Sequence, residues 1–248
     1  MKFFDSNILV GRKTVKDYTP IENEAELLAI MDEHGIDKVL ITHADQKNVH
    51  PEYGNQIALD FSKSDRVEKM FALVPPATCE FDYDVFSYMK ENKIKAVTAF
   101  PKYMNFFLNK VAMGKMMDEI VERKIPIVLS LWGDVEWQDV YDFMKDFPEA
   151  TVILKDLYDW SQNRYFYPLL VAYKNFYMET NKLSLVAGGI EDATKHFGSE
   201  RFIFGTAYPR CYISASKMDL MHANIKDKDK ENIAFNNLQR LLDNADLS

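Results

Sequence analysis

The chain has 248 residues, of which 47% are hydrophobic, and a formal net charge of -8. That length suits one large domain or two small ones, and α/β barrels reach it as a single domain, here expected to span 1–248. The acidic balance argues against a nucleic-acid partner or an anionic membrane, because either needs a basic face.

Short apolar runs rich in Val, Ile and Phe alternate with amphipathic segments along the whole chain. The pattern predicts strands near 2–9, 37–43, 67–74, 94–100, 125–132, 150–157, 175–180 and 201–207. Between them it predicts helices over 22–34, 51–63, 81–92, 108–123, 135–146, 162–173 and 185–197, with closing helices near 214–224 and 228–243. Eight strand–helix units at this length read as a (β/α)₈ TIM barrel. A doubly wound open sheet is the alternative, lowered because no Gly-x-Gly-x-x-Gly follows the first strand.

Local punctuation agrees. His34-Gly35 and Phe197-Gly198 end helices with glycine just past the last turn. Pro75-Pro76 stops the third strand, Pro126 enters the fifth and Pro148 closes the turn before the sixth. The charged run 226–231 alternates in sign, as a solvated helix start does. Cys79 and Cys211 have neither metal-ligand spacing nor the look of a disulfide framework, which fits a reducing cytoplasm. Met1-Lys2-Phe3-Phe4 meets Asp5 at once, so no signal core is expected, and no apolar run nears membrane-span length.

One stretch organises the rest: Arg201-Phe202-Ile203-Phe204-Gly205-Thr206-Ala207-Tyr208-Pro209, a buried strand running into a turn. It resembles the Arg-x-x-Phe-Gly-(Ser/Thr)-Asp-x-Pro signature that ends the last strand in the amidohydrolase-related branch of the amidohydrolase superfamily. Other stretches are similar too. Asp5-Ser6-Asn7-Ile8-Leu9, with Gly11 following, stands where that family has Asp-x-His-x-His. Pro126-Ile127-Val128-Leu129-Ser130 matches Pro-(Val/Ile)-x-x-His, Asp156 takes the strand-six histidine position, and Asn236 to Leu242 resembles the closing Asn-Ala-x-Arg-Leu-Leu.

The resemblance implies a TIM barrel of hydrolase or decarboxylase lineage, whose metal lowers the pKa of a water and whose last-strand Asp takes its proton. This chain carries Asn7, Leu9, Ser130, Asp156 and Ala207 at those positions. Leu9 and Ala207 cannot ligate, Asn7 and Ser130 are poor zinc donors, and one carboxylate is not a site. Neither a metal nor another cofactor is expected.

In such barrels the working groups sit at the C-terminal strand ends. Asp156 and His43 are therefore the candidate acid–base residues, and Asn7, Ser130, Lys102, Trp132, Tyr158 and Tyr208 the candidate ligand-binding ones. Lys155 neighbours Asp156 on a strand, so it is expected to face the other way. Arg210 and Lys102 could bring positive charge to the mouth. A Ser130–His43–Asp156 triad is rejected, since Ser130 lacks nucleophile-elbow glycines. Aromatic residues crowd the same loops: Tyr103, Phe106, Phe107, Trp132, Trp137, Tyr158, Trp160, Tyr165, Phe166, Tyr167, Tyr208 and Tyr212. They would cap a small-molecule pocket or form a homo-oligomer interface. The favoured reading is a non-catalytic or metal-independent barrel that binds a small molecule. The alternative is an active hydrolase, lactonase or decarboxylase acting on a small carboxylate, ester or lactone.

Overall fold

A computed structural model describes residues 1–13, 19–79, 84–157, 162–183 and 186–248. The strands are β1 (Phe4–Val10), β2 (Lys38–His43), β3 (Val67–Lys69), β4 (Phe71–Leu73), β5 (Val97–Ala99), β6 (Ile127–Ser130), β7 (Val152–Lys155), β8 (Phe176–Glu179) and β9 (Phe202–Ile203). All paired neighbours are parallel, and β3 and β4 are two halves of one stave interrupted at Met70. Eight staves result, each followed by helical chain, which is the TIM-barrel architecture. The ladders run β1-β2-β3 and β4 through β9. Between the first and last staves, Ser6 N donates to Phe204 O at 3.0 Å and Leu9 N to Tyr208 O at 3.0 Å.

The break in the third stave has a side-chain cause. Gln46 Nε2 donates to Met70 O at 2.9 Å, and Asn55 both accepts from Ala72 N at 2.7 Å and donates to Ala72 O at 3.0 Å. Those two amides satisfy backbone groups that a continuous ladder would have used. The last strand is also shorter than the predicted 201–207. Beyond Ile203, Phe204 N turns to Ile233 O at 3.0 Å and Thr206 N to Asp5 Oδ1 at 3.0 Å, so neither serves a strand ladder. The closing helix runs through Asp227–Glu231 and Asn237–Asp243 with a π-helical turn over Asn232–Asn236 between them.

Two apolar layers follow from the period-two alternation of the strands. Side chains on one face pack against the helices. Those on the other fill the barrel: Phe4, Leu40, Met70, Ala96, Val128, Ile153, Tyr177 and Ile203, closed below by Leu238, Leu241 and Leu242. Asn237 fastens this plug by donating to Ser199 O at 2.8 Å and Phe202 O at 2.9 Å. No helix among the described residues is long and apolar enough to cross a membrane.

Arg201 shows why the organising stretch begins with arginine. Its Nε and Nη2 donate to Phe176 O at 3.0 and 2.6 Å, Nη2 also to Tyr173 O at 2.6 Å, and Nη1 to Leu170 O at 3.2 Å. One planar fork thus satisfies the carbonyls between the helix Asn163–Ala172 and β8. Arg201→Met is expected to cost about 2–3 kcal/mol in urea denaturation, since it leaves those carbonyls unpaired. Arg201→Lys should recover less than half, because one ammonium cannot span three acceptors.

Candidate functional site

The inner layer continues two residues up each strand toward the C-terminal mouth. From Val128, Ile153, Tyr177 and Ile203 the same face leads to Ser130, Lys155, Glu179 and Gly205. Strand β1 carries one extra residue between its pairs Asp5↔Val39 and Ile8↔Ile41. Such a bulge re-aims a side chain, and here it brings Asn7 inward.

A buried polar cluster results. Asn7 Nδ2 donates to Asp156 Oδ1 at 2.8 Å and to Glu179 Oε1 at 3.0 Å, so one amide bridges two carboxyls. Ser130 Oγ donates to Asp156 Oδ2 at 2.6 Å, and Asp156 N donates to Glu179 Oε2 at 2.9 Å. Arg210 pairs with Asp156 Oδ1. Arg210 gets there because Ala207, at φ 59, starts a turn in which Arg210 N donates to Ala207 O at 2.9 Å.

The two carboxyls are pushed apart in acidity. Burial raises the Glu179 carboxyl to about 8, and the neighbouring Asp156 charge adds to the rise. Burial acts the same way on Asp156, but there Arg210, Lys155 and the hydrogen bonds from Ser130 and Asn7 outweigh it. They hold Asp156 below the usual carboxylate range. Near neutral pH Glu179 carries a proton and Asp156 does not. Gly205 belongs to this arrangement, since a Cβ there would lie 2.1 Å from Glu179 Oε1.

Lys155 corrects the sequence reading. It faces the same cluster as Asp156, and its charge acts on Asp5, Asp134, Asp156 and Glu179. Opposite-face alternation fails because Asp156 lies at φ 63, in the left-handed region, just past the strand end. Its N–H bond to Glu179 holds that turn. Burial drives the Lys155 amine below its ordinary range, with Lys47 adding to this and Asp156, Glu179 and Asp134 opposing.

A second ion pair stands beside the first. Lys47 Nζ donates to both Asp134 oxygens, at 2.6 and 2.8 Å, and lies over the Phe100 and Tyr103 rings. Arg210 lies 4.4 Å from the Trp132 ring centroid. Trp132 and Tyr103 therefore stack on the two mouth cations. Below them, Asp5 accepts from Thr206 N, Thr206 Oγ1 and Asn7 N at 3.0, 2.6 and 3.0 Å, tying the first stave to the last. Burial nevertheless raises its carboxyl to about 6.

Asn7, Ser130 and Asp156 thus meet at one point, with Trp132 joined to them through Arg210. His43 is placed differently. Its Nδ1 accepts from Asp45 N at 3.2 Å, its ring packs on Gly11 and Phe61, and burial lowers its pKa. A Cβ on Gly11 would come within 2.7 Å of that ring, which accounts for the glycine. Lys102 pairs with Glu136, and among the described residues no contact joins it to the cluster. Tyr208 is half-buried, with its backbone in the β1 seam. Tyr158 and Trp160 lie outside the described residues. Trp137 stacks on Tyr165 with centroids 5.2 Å apart, and Phe166 is buried in the core. Sequence reasoning passed over Glu179, Lys47 and Asp134 as site residues. The available signal was a charged residue closing an apolar strand buried on both faces, as Lys155 and Glu179 do.

No protein-family profile and no curated protein sequence matches this chain. Solved structures do. An uncharacterized TIM-barrel protein from Bordetella bronchiseptica superposes with TM-score 0.75 at 16% identity, covering 99% of each chain. A dihydroxybenzoic acid decarboxylase from Polaromonas sp. JS666, with bound manganese and the inhibitor 2-nitroresorcinol, gives 0.75 at 12% identity over 98% of this chain and 97% of that one. A protein assigned as a 2-pyrone-4,6-dicarboxylic acid hydrolase from Pseudomonas putida gives 0.71 at 12% identity over 98% of both. The class defined is therefore a TIM barrel with the fold of small-carboxylate decarboxylases and hydrolases. At these identities the likeness establishes the fold alone.

A manganese-type ion does not fit this mouth. Asp156 already accepts from Asn7, Ser130 and Arg210, and the Asn7 amide donates into both carboxyls. Among the described residues no three His, Cys, Asp or Glu side chains are grouped to hold a metal. Lys47 and Arg210 further oppose a dication.

Proposed function

We propose that the mouth binds a small carboxylate-bearing molecule and acts on it by metal-independent acid–base chemistry, as a decarboxylase or hydrolase. The observation that carries this reading is the Asp156–Glu179 pair, bridged by Asn7 and buried beside Lys155 and Arg210. Two carboxyls with separated acidities divide into a proton carrier and a fixed charge. Glu179 is the proton carrier. Asp156 is the fixed charge that holds Arg210 and Asn7 in place. Arg210 and Lys47, under Trp132 and Tyr103, supply positive charge for a substrate carboxylate. Two of the structural neighbours described above support the substrate class, since they are named for an aromatic and a pyrone carboxylate. A second reading rests on one further observation: Asp156 is fully engaged by Asn7, Ser130 and Arg210, as in a purely structural network.

The test is a screen of lactones, esters and carboxylated aromatics with a chelator present throughout. The expected result is turnover that a chelator leaves unchanged. Binding with no turnover would favour the structural network. Activity abolished by chelator and restored by a divalent metal would overturn the proposal.

A further inference from the structure

We propose that Lys155 is an amine nucleophile that forms an imine with the ketone of a small 3-oxo acid. The proposal deepens the carboxylate-binding reading and rests on it. Lys155 closes β7 on the inner face of the barrel and is only 7% exposed. Lys47 is paired with Asp134 and Arg210 with Asp156. Among the described residues, no acceptor lies within hydrogen-bonding or ion-pairing reach of Lys155 Nζ. A lysine buried for structural reasons is paired, because an unpaired buried ammonium is costly. A buried lysine without a partner is instead best accommodated as the neutral amine, whose lone pair is then free. The lowered amine pKa agrees, although Asp5, Asp134, Asp156 and Glu179 all face it and act against the lowering.

The step balances with groups at hand. The Lys155 lone pair forms the C–N bond, and the carbonyl π pair moves to oxygen, which takes the Glu179 proton. The Glu179 carboxylate then takes a proton from nitrogen through one bridging solvent water and returns it to the hydroxyl by the same route. The C–O bond breaks, water leaves, and the nitrogen lone pair closes the iminium. Glu179 ends as the carboxylate. In a 3-oxo acid the iminium can then accept the electron pair of the breaking C–C bond as carbon dioxide departs, leaving an enamine. Arg210 and Lys47 are the cations available to hold the carboxylate before it leaves.

The test uses the full chain with acetoacetate at neutral pH, reduction by sodium borohydride and peptide mapping by mass spectrometry. The expected result is an adduct on Lys155 that forms at least about tenfold faster than on any other lysine, since the ketone is held beside it when the carboxylate binds at the mouth. Lys155→Met, with its fold checked by circular dichroism, should lose that adduct. The wild-type map decides the matter even if the variant fails to fold. An unlabelled Lys155, or label spread evenly over surface lysines, would overturn the proposal. Calorimetry with 3-hydroxybutyrate, which lacks the ketone, separates the two readings. If it binds while Lys155 stays unlabelled, only the imine is lost; if it also fails to bind, the carboxylate site is lost as well.

Discussion

Asp156→Ala is expected to lower stability by about 3 kcal/mol and to reduce any turnover about a hundredfold or more. The stability loss has three sources. Arg210 loses its partner, Ser130 Oγ loses its acceptor, and one hydrogen of the Asn7 amide is left unpaired. Arg210 is partly open to water, which places the loss at the lower end of the range for breaking a buried pair. Activity falls for a separate reason. Without the fixed charge, Arg210 and Asn7 lose their positions, and the Glu179 pKa falls because the neighbouring anion is gone, so Glu179 holds its proton less well near neutral pH. Asp156→Asn keeps the shape and one acceptor, so it should cost about half as much stability while still impairing turnover. Urea denaturation and steady-state kinetics on both variants check this. Full activity in the alanine variant would place the chemistry elsewhere.

Glu179 should contribute a loss of stability as pH rises from about 4.5 to about 8. Its unfolded value is about 4.3, and the folded carboxyl is raised to about 8. Between those values the folded state holds one more proton than the unfolded state. The slope is then negative, at most about 1.4 kcal/mol per pH unit from this group. Asp5 and Asp134, each raised to about 6, act in the same direction over the lower part of the window. Bases with lowered values act oppositely, Lys69 and Lys217 among them. The lowered His43 loses its contribution as pH falls through its ordinary range, and the lowered Lys155 offsets Glu179 on the alkaline side. The difference between wild type and Glu179→Gln isolates the term. The variant should be less stable at pH 5, because its amide nitrogen cannot accept from Asn7 or Asp156, and its profile should be flatter up to pH 8. Parallel profiles would show that Glu179 titrates normally.

Much of the barrel was legible in the sequence because it depends on local periodicity. Each strand run from Phe4 to Ile203 announces itself by apolar content, and Gly35 ends its helix at φ 60 as a C-terminal glycine should. The similar stretches Asp5–Leu9 and Pro126–Ser130, with the strand-six position, also pointed to Asn7, Ser130 and Asp156. What these residues touch was not legible. Arg201 reads as a motif letter until its fork is seen on the carbonyls of Leu170, Tyr173 and Phe176.

The sequence by itself determined the eightfold alternation of apolar strand runs and amphipathic helices. Only the tertiary structure decided how charge is arranged at the mouth. Period-two alternation assigns Lys155 and Asp156 to opposite faces, and it holds only while both residues keep extended backbone. At Asp156 the chain turns to φ 63, where its N–H meets Glu179 Oε2, a partner 23 residues away. Pairings of that kind, like Lys47 with Asp134 and Arg210 with Asp156, join residues from different strand–helix units. They arise only when barrel closure brings the strand ends together, so no local pattern in the chain encodes them.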